Sequence, residues 1–345
     1  MFSICIPNYN YEKYIGLTLE SIFNQKLKEF EVAVADNCST DSSVDIVTFY
    51  KNKFPDQVLY KVNSVNLGFS ANLDQAASLA SNPYIIMLSS DDTIHPDALS
   101  TYKQILDTIE SPHSIIICSA NDVIDSKGSV IRSPRARDFR FNLWRKEDLD
   151  EEFSKMMGMD IYRVSASELL RRSLLTCSNP FNFLATMYSK VLYSKVGGYG
   201  GGRLINPDKW FHWRILSKAD DVFFIDRPLF QYRWHGQNQT AQQANTGYLK
   251  FLLDEYRNTI EITEEMQRVA NVTRKEFILA FIQRDIYRHG VGEYAKGRWL
   301  KSLRIYFFGL STYPGDMILH PLFIIYSLML LTTPLGSWVV SRFKP

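Results

Sequence analysis

The sequence predicts an α/β fold, a mainly parallel sheet with flanking helices, followed by a helical tail. Three observations carry this. Short apolar runs alternate with stretches of helical period from Phe2 to Leu88, which implies right-handed crossovers and parallel pairing. The run Tyr84-Ile85-Ile86-Met87-Leu88 is apolar throughout, as a central strand buried on both faces is. Beyond Tyr248 the apolar period becomes helical almost to the end.

Residues 2–6 read as a short strand that Pro7 stops, followed by the polar aromatic loop Asn8-Tyr9-Asn10-Tyr11 and a helix carrying Ile15, Leu19, Ile22 and Phe23. Residues 31–35 give a second strand ending at Asp36. Asn37, Ser39, Thr40 and Asp41 then offer turn and capping groups before a helix with Val44, Ile46 and Val47. Residues 58–62 form a third strand, ended by Asn63-Ser64. In Asn66-Leu67-Gly68-Phe69-Ser70-Ala71-Asn72, Gly68 permits a tight turn and Ser70 is the expected cap of a helix reaching Ala80. The fourth strand is the apolar run itself, and Pro96 and Asp97 open the next helix. Residues 114–119 make a further strand, followed by Asn121-Asp122 and an Asp125-Ser126-Lys127-Gly128 turn.

Composition sets the classes. A chain of 345 residues, 46% apolar and 22% charged, is long enough for two domains or one large α/β domain with additions, and is not disordered. A net charge of +2 with one basic run, residues 132–146, makes no concentrated basic face, so a nucleic-acid partner is not expected. Cys5, Cys38, Cys118 and Cys177 are far apart and form no C-x-x-C pair, which argues against zinc and disulfide scaffolds and for a reducing cytosol. The N-terminus runs straight into a strand without a basic segment, so no signal peptide is read.

The polar residues after strands, Pro7 to Tyr11, Asp36 to Asp41 and Asp91-Asp92, fall on one sheet edge, where open α/β sheets bind ligands. Adjacent carboxylates of this kind suit Mg²⁺ or Mn²⁺ held between protein and substrate phosphates. The alternative is that Asp91 is an ordinary turn or capping residue. Neither G-x-G-x-x-G nor G-x-x-x-x-G-K-[ST] occurs. The cluster Gly197-Gly198-Tyr199-Gly200-Gly201-Gly202 lacks the Lys and Ser/Thr of a phosphate cradle and reads as a flexible loop or lid.

Ile6-Pro7-Asn8-Tyr9-Asn10, Val34-Ala35-Asp36-Asn37-Cys38-Ser39-Thr40-Asp41, the segment Asn66 to Asn72, and Ser89-Ser90-Asp91-Asp92 together resemble the successive motifs of inverting family 2 glycosyltransferases with the GT-A fold, of the bacterial surface-polysaccharide type. The resemblance implies that Asp36 holds the base of a UDP- or dTDP-sugar, with Pro7, Asn8, Tyr9, Asn66 and Gly68 around the nucleotide. It places the D-x-D motif on Ser89-Ser90-Asp91, with Ser89 departing from the family pattern. Asp91 keeps the metal position, with Asp92 and His235 as further candidates. The segment Gln231-Tyr232-Arg233-Trp234-His235 is similar to the family's Y-R-x-H segment. Around Pro207-Asp208-Lys209-Trp210, where the family carries an acidic pair, Asp208 fits the general base and Pro207 replaces the first acid. The alternative is that Asp208 only caps the following helix. Trp210, Trp213, Arg214 and Arg233 are the acceptor-binding candidates, and Trp234 can join a sugar-stacking floor; buried core tryptophan is the competing reading.

The basic run 132–146 reads as a solvated loop, or else as a site for anionic lipid or a lipid pyrophosphate. Gly290 and Gly292 are expected to separate the last two helices before the tail. Residues 317–341 contain no charged side chain over 25 positions, but Pro321 and Pro334 divide them and leave only 12 residues between. An interfacial or re-entrant segment is therefore expected rather than a straight span, with Arg342 and Lys344 suited to an anionic surface; a buried helix pair is the alternative. The expected organisation is residues 1–110 for the nucleotide sugar, 111–240 for acceptor and catalysis, 241–315 as a helical extension and 316–345 as a membrane-associated tail. The function expected is inverting, divalent-metal-dependent transfer of a sugar to a glycan or lipid-linked acceptor, at the cytoplasmic face of the inner membrane. A sugar nucleotidyltransferase, or a catalytically silent nucleotide- or membrane-binding module, are the rivals.

Overall fold

The alternating apolar runs become strands where the sequence puts them. In the computed structural model, which describes residues 1–134, 143–200, 207–236, 238 and 248–331, β1 (Phe2–Asn8), β2 (Phe30–Asp36), β3 (Val58–Val62) and β4 (Tyr84–Met87) pair in parallel in the order β3-β2-β1-β4. The helices α1 (Ile15–Phe23), α2 (Ser43–Lys53) and α3 (Phe69–Leu79) are the crossovers between them. Every residue of β1, β2 and β4 is buried, as a sheet covered on both faces requires. Ile15, Leu19 and Ile22 repeat at helical spacing, and α1 buries all three against this sheet's core.

The sheet continues from β4 through β9 (Thr186–Ser189), β6 (Ile116–Ile124) and β10 (Asp221–Arg233) to β5 (Thr93–Ile94), with β7 (Val130–Arg132) on β6 and β8 (Ile161–Ser165) on β10. β9 is antiparallel to both neighbours, so β6 and β10 again run parallel to β1–β4. The helices α4 (Ala98–Leu106), α5 (Glu151–Met157), α6 (Ala166–Thr176), α7 (Lys190–Lys195) and α8 (Pro207–Leu216) complete this part. It forms one compact unit, Met1–Ser173 with Asn179–Asn245.

Four expectations change. Pro7 does not stop β1, because its missing N–H faces the side on which the β4 ladder has already ended; its carbonyl there accepts from Ser90 Oγ at 3.0 Å. Ser70 is not the cap of α3 but sits inside it, and Gly68 with φ +80° makes the entry turn. Asn121 and Asp122 lie within β6, not after it. The long strand β10 is not foreseen, since Asp226-Arg227-Pro228 interrupts its apolar run; the ladder answers with register shifts between Ile225 and Phe230.

The second unit is Leu174–Ser178 with Thr246–Pro345, and its described residues are mainly helical. It contains α9 (Tyr248–Glu261), α10 (Glu264–Ala270), α11 (Arg274–Phe281), a π-helical stretch over Ile282–Arg288, α12 (His289–Ala295), α13 (Trp299–Thr312), α14 (Pro314–Leu319) and α15 (Leu322–Leu331). Thr263 and Thr273 cap α10 and α11 through the Met266 and Glu276 amides. Gly290 and Gly292 lie inside α12 rather than separating helices, and the turn falls at Gly297 with φ +74°. Gly290 is needed for close approach: a Cβ there would lie 2.0 Å from Tyr326 Oη. Tyr326 donates to the Ser302 carbonyl at 2.9 Å and is the buried residue of α15, whereas Ile324, Ile325, Leu328 and Leu331 are exposed. Pro321 divides α14 from α15. Among the described residues no helix is long and apolar enough to cross a membrane. Pro334, Arg342 and Lys344 lie outside the described residues, as does most of the basic run, residues 135–142.

Candidate active site

β1, β2 and β4 end side by side, and amide side chains knit together the loops that leave β1, β2 and β3. Asn37 donates to Asn66 Oδ1 (2.8 Å) and accepts from Leu67 N (2.8 Å), while Asn66 Oδ1 also accepts from Gly68 N (2.8 Å). Asn63 donates to Asn72 Oδ1 (3.0 Å), and Asn72 donates to the Ala35 carbonyl (3.0 Å). An amide both donates and accepts, so such a chain closes without an ion. Asn8 Nδ2 donates to Asp36 Oδ2 at 2.7 Å, and Asp36 also accepts from Ser39 N (2.8 Å) and Ser39 Oγ (2.7 Å). Pro7, Asn8, Tyr9, Asp36, Asn66 and Gly68 are thus brought to one edge. Asn8 and Asp36 are fully buried beneath it, and Tyr9 is exposed at its rim.

Where β4 ends, Asp91 and Asp92 separate into two roles. Asp91 Oδ2 lies 2.9 Å from His235 Nε2 and accepts from Asn238 Nδ2 at 2.8 Å. Asp92 Oδ1 instead accepts the backbone N–H of Arg233 at 2.9 Å, and Ser89 donates to Asp92 as well. Arg233 is buried and donates its Nε to the Asp91 carbonyl at 2.8 Å and its Nη1 to the Asp125 carbonyl at 3.3 Å, so these nitrogens brace the turn. Tyr14 supports the group from α1's entry, its ring stacked on His235 (4.6 Å between centroids) and lying 5.3 Å beneath the Arg233 guanidinium. Burial drives the Asp91 and Asp92 carboxyls up from their ordinary range, and Asp91's own charge adds to the rise at Asp92.

The donor set fits a divalent cation in one form only. Among the described residues no group of three or more His, Cys, Asp or Glu is arranged to hold a metal. Asp91 can supply a carboxylate ligand and His235, 2.9 Å from it, an imidazole one, with water and phosphate oxygens as the rest; the carboxylate and phosphate oxygens are the donors that suit Mg²⁺ and Mn²⁺.

Asp208 sits in the first turn of α8, next to Pro207, which suits a helix start because its missing N–H is an orphan there. Asn179 Nδ2 donates to Asp208 Oδ2 at 2.7 Å. Burial raises the Asp208 carboxyl above its usual range, opposed by hydrogen bonds from Lys209 and Asn179. A carboxylate desolvated in this way is better matched to taking a proton near neutral pH. Further along α8, Trp213 is fully buried with the Lys209 ammonium 4.9 Å over its ring, so it presents no face for a sugar to stack on. Trp210 retains only a small exposed area, and Trp234 is half exposed. Arg214 is a clamp: it donates to the carbonyls of Val196 (2.6 Å), Gly198 (2.6 Å) and Tyr199 (3.0 Å). Asp74 on α3 holds the same loop through Tyr199 N at 2.7 Å. The glycine cluster is therefore held at Gly198 and Tyr199; Gly201 and Gly202 lie outside the described residues.

Sequence reasoning missed Tyr14, Asn179, His212 and Asn238. Isolated asparagines read as turn formers, and only the Asn179-Pro180 step, which fixes an extended backbone, gave a local signal.

A mostly parallel sheet with polar loops after β1, β2 and β4, and with carboxylates after β4 and at α8, is the GT-A architecture. Solved structures agree on the fold. A crystal structure of residues 1–349 of Staphylococcus aureus TarS superposes with a TM-score of 0.60 at 18% identity, covering 99% of this chain and 90% of that one. The mannosyltransferase PcManGT of Pyrobaculum calidifontis, solved with GDP-Man and Mn²⁺, gives 0.53 at 13% identity, covering 99% and 87%. Residues 3–170 match the family described as Glycosyl transferase family 2, and the chain carries a family 2 glycosyltransferase domain of the GT-A type. The abequosyltransferase RfbV of Salmonella typhimurium is 33% identical over 124 residues, 35% of this chain and 36% of that protein. The poly(ribitol-phosphate) beta-N-acetylglucosaminyltransferase TarS is 34% identical over 177 residues, 50% of this chain and 28% of that protein. These matches span about a third of each relative's length.

Proposed function

We propose that this chain transfers a sugar from a nucleotide-diphosphate donor to a hydroxyl acceptor by direct displacement, inverting the anomeric carbon. The observation that carries the reading is the desolvated Asp208 carboxylate, oriented by Asn179, in a chain with a family 2 domain. Asp208 takes the acceptor hydroxyl's proton as that oxygen bonds to the anomeric carbon and the bond to the diphosphate oxygen breaks. Pro7, Asn8, Tyr9 and Asp36 form the base subsite and Asn66 and Gly68 border it. Asp91 and His235 would hold Mn²⁺ or Mg²⁺, with Asp92 bracing the turn; a bound cation neutralises charge developing on the leaving diphosphate. A UDP-sugar is the favoured donor, supported by the TarS structure containing UDP-GlcNAc, and a dTDP-sugar is the next choice. The acceptor is a glycan, lipid-linked if the exposed apolar residues of α14 and α15 rest on the cytoplasmic face of the inner membrane. Trp210 and Trp234 are its stacking candidates.

Incubating the full chain with UDP-, dTDP- and GDP-sugars and Mn²⁺ tests this. Transfer or slow donor hydrolysis is expected, lost on chelation, with Asp208→Asn lowering turnover by about 10²- to 10⁴-fold while donor binding survives. Unchanged turnover in Asp208→Asn removes the base. Sedimentation with anionic vesicles, abolished by Ile324→Asp with Leu328→Asp, is the outcome expected for the membrane surface.

A further inference from the structure

We infer that Asn179 is a positioning residue that holds Oδ2 of Asp208 and so aims the carboxylate, and that His212 in turn fixes the orientation of Asn179. The inference rests on the reading of Asp208 as base and adds what aims it.

The geometry determines the hydrogen bonds in sequence. A carboxylate only accepts, so the Asn179 atom 2.7 Å from Asp208 Oδ2 is the amide nitrogen. The amide oxygen then faces the other way, where it lies 2.7 Å from His212 Nδ1 and accepts weakly from Phe181 N at 3.5 Å. An oxygen there requires His212 to carry its proton on Nδ1. The imidazole is buried, packed edge-on against Phe181 at 5.0 Å between centroids, and burial lowers its pKa to about 3. It is therefore neutral near neutral pH, in the tautomer that the Asn179 oxygen requires. His212 lies four residues after Asp208 on α8, which puts both side chains on one face of the helix with Asn179 between them. Pro180 restrains the backbone of Asn179 to extended conformations, so the amide approaches from a set direction.

Two consequences follow for catalysis. Oδ2 is held by the Asn179 amide, which limits rotation of the carboxylate about its side-chain bond. A donor on Oδ2 also favours the ionised form, the form a base needs. Without Asn179 the carboxylate loses a side-chain donor, keeps the Lys209 backbone N–H, and titrates higher.

The test uses the full chain, with UDP-GlcNAc or the first sugar of the UDP and dTDP panel that the wild-type protein turns over, and follows nucleotide release across pH. Asn179→Ala is expected to lower kcat about 10- to 100-fold, to leave the donor KM unchanged, and to move the acid limb of the kcat profile to higher pH. His212→Leu should move both readouts the same way, and His212→Asn, which restores an N–H near Nδ1, should recover most of that loss. A folded Asn179→Ala protein with the wild-type kcat and acid limb overturns the inference. If Asn179→Ala fails to fold, equal kcat and acid limbs in His212→Leu and the wild type overturn it instead. Turnover surviving in Asp208→Asn would strike the base itself; turnover lost there but kept in Asn179→Ala strikes only the positioning role.

Discussion

Replacing Arg172 with methionine should be among the most destabilising single changes in the first unit. Arg172, on α6, is buried and grips Asp148 with both arms, Nη1 to Oδ2 at 2.6 Å and Nη2 to Oδ1 at 3.0 Å. It also donates to the Leu143 carbonyl at 2.8 Å and, through Nε, to Glu168 at 2.8 Å. Glu168 is substantially exposed, so its share is screened, roughly 0–1 kcal/mol. Asp148 is different: its side chain is 7% exposed, and Arg172→Met leaves its charge buried and unpaired. Breaking a buried pair from one side costs about 3–5 kcal/mol. At roughly 2–4 °C per kcal/mol for a unit of this size, Tm should fall by about 6–20 °C. Urea unfolding followed by far-ultraviolet circular dichroism measures the loss. The double variant Arg172→Met with Asp148→Leu should recover most of it, because an apolar pair carries no desolvation penalty. A single-variant loss under about 1 kcal/mol, or a double variant no better than the single, refutes the reasoning.

Three other outcomes can be checked. Burial alone would raise the Glu31 carboxyl, but donors on Ser3, Ser81 and Asn82 outweigh it and hold the group below its ordinary value of 4.5. The folded state then binds fewer protons than the unfolded one, so this contribution is complete above 4.5 and fades as pH falls through the depressed value; melts of Glu31→Gln should show a flatter acid limb than the wild type, and parallel curves would contradict the assignment. Gly198→Ala should cost more stability and turnover than Gly197→Ala, although both have φ +69°, because a Cβ at Gly198 meets Asp74 Oδ1 at 2.5 Å and Tyr193 Oη at 2.7 Å while that at Gly197 meets nothing within 4 Å. Equal melting temperatures would show the loop yields. Of the four thiols, Cys38 alone should react with a disulfide reagent in the native protein, since Cys5, Cys118 and Cys177 are buried and burial pushes the Cys5 and Cys118 thiols up; all four should react in denaturant.

The first four strands and their crossovers were legible because each apolar run has its own punctuation: Asp36 after β2, Asn63 after β3, Asn82-Pro83 before β4. β10 was not, because Arg227 and Pro228 break its pattern at a bulge that only pairing with β6 explains. The site followed the same division. Asp91 and His235 could be named from motifs, yet the separate use of Asp92 depends on where Arg233 N falls, 141 residues later in the chain. Trp213 and Arg214 show the converse limit. Their residue types suit an acceptor surface, but α8 turns one into the core and the other onto the glycine loop. Helical spacing alone did not reveal which face of α8 the sheet covers.

The amide lattice at the sheet edge has a consequence for how this protein ages. Asn37 and Asn63 each donate in that lattice, and neither group ionises, so its hydrogen bonds do not change with pH. The vulnerability is hydrolysis. Deamidation of Asn37 would turn a donor into an acceptor facing Asn66 Oδ1, repelling the loop it now holds and adding a negative charge beside the edge proposed to hold the nucleotide. A stored preparation would then lose donor affinity before it lost secondary structure.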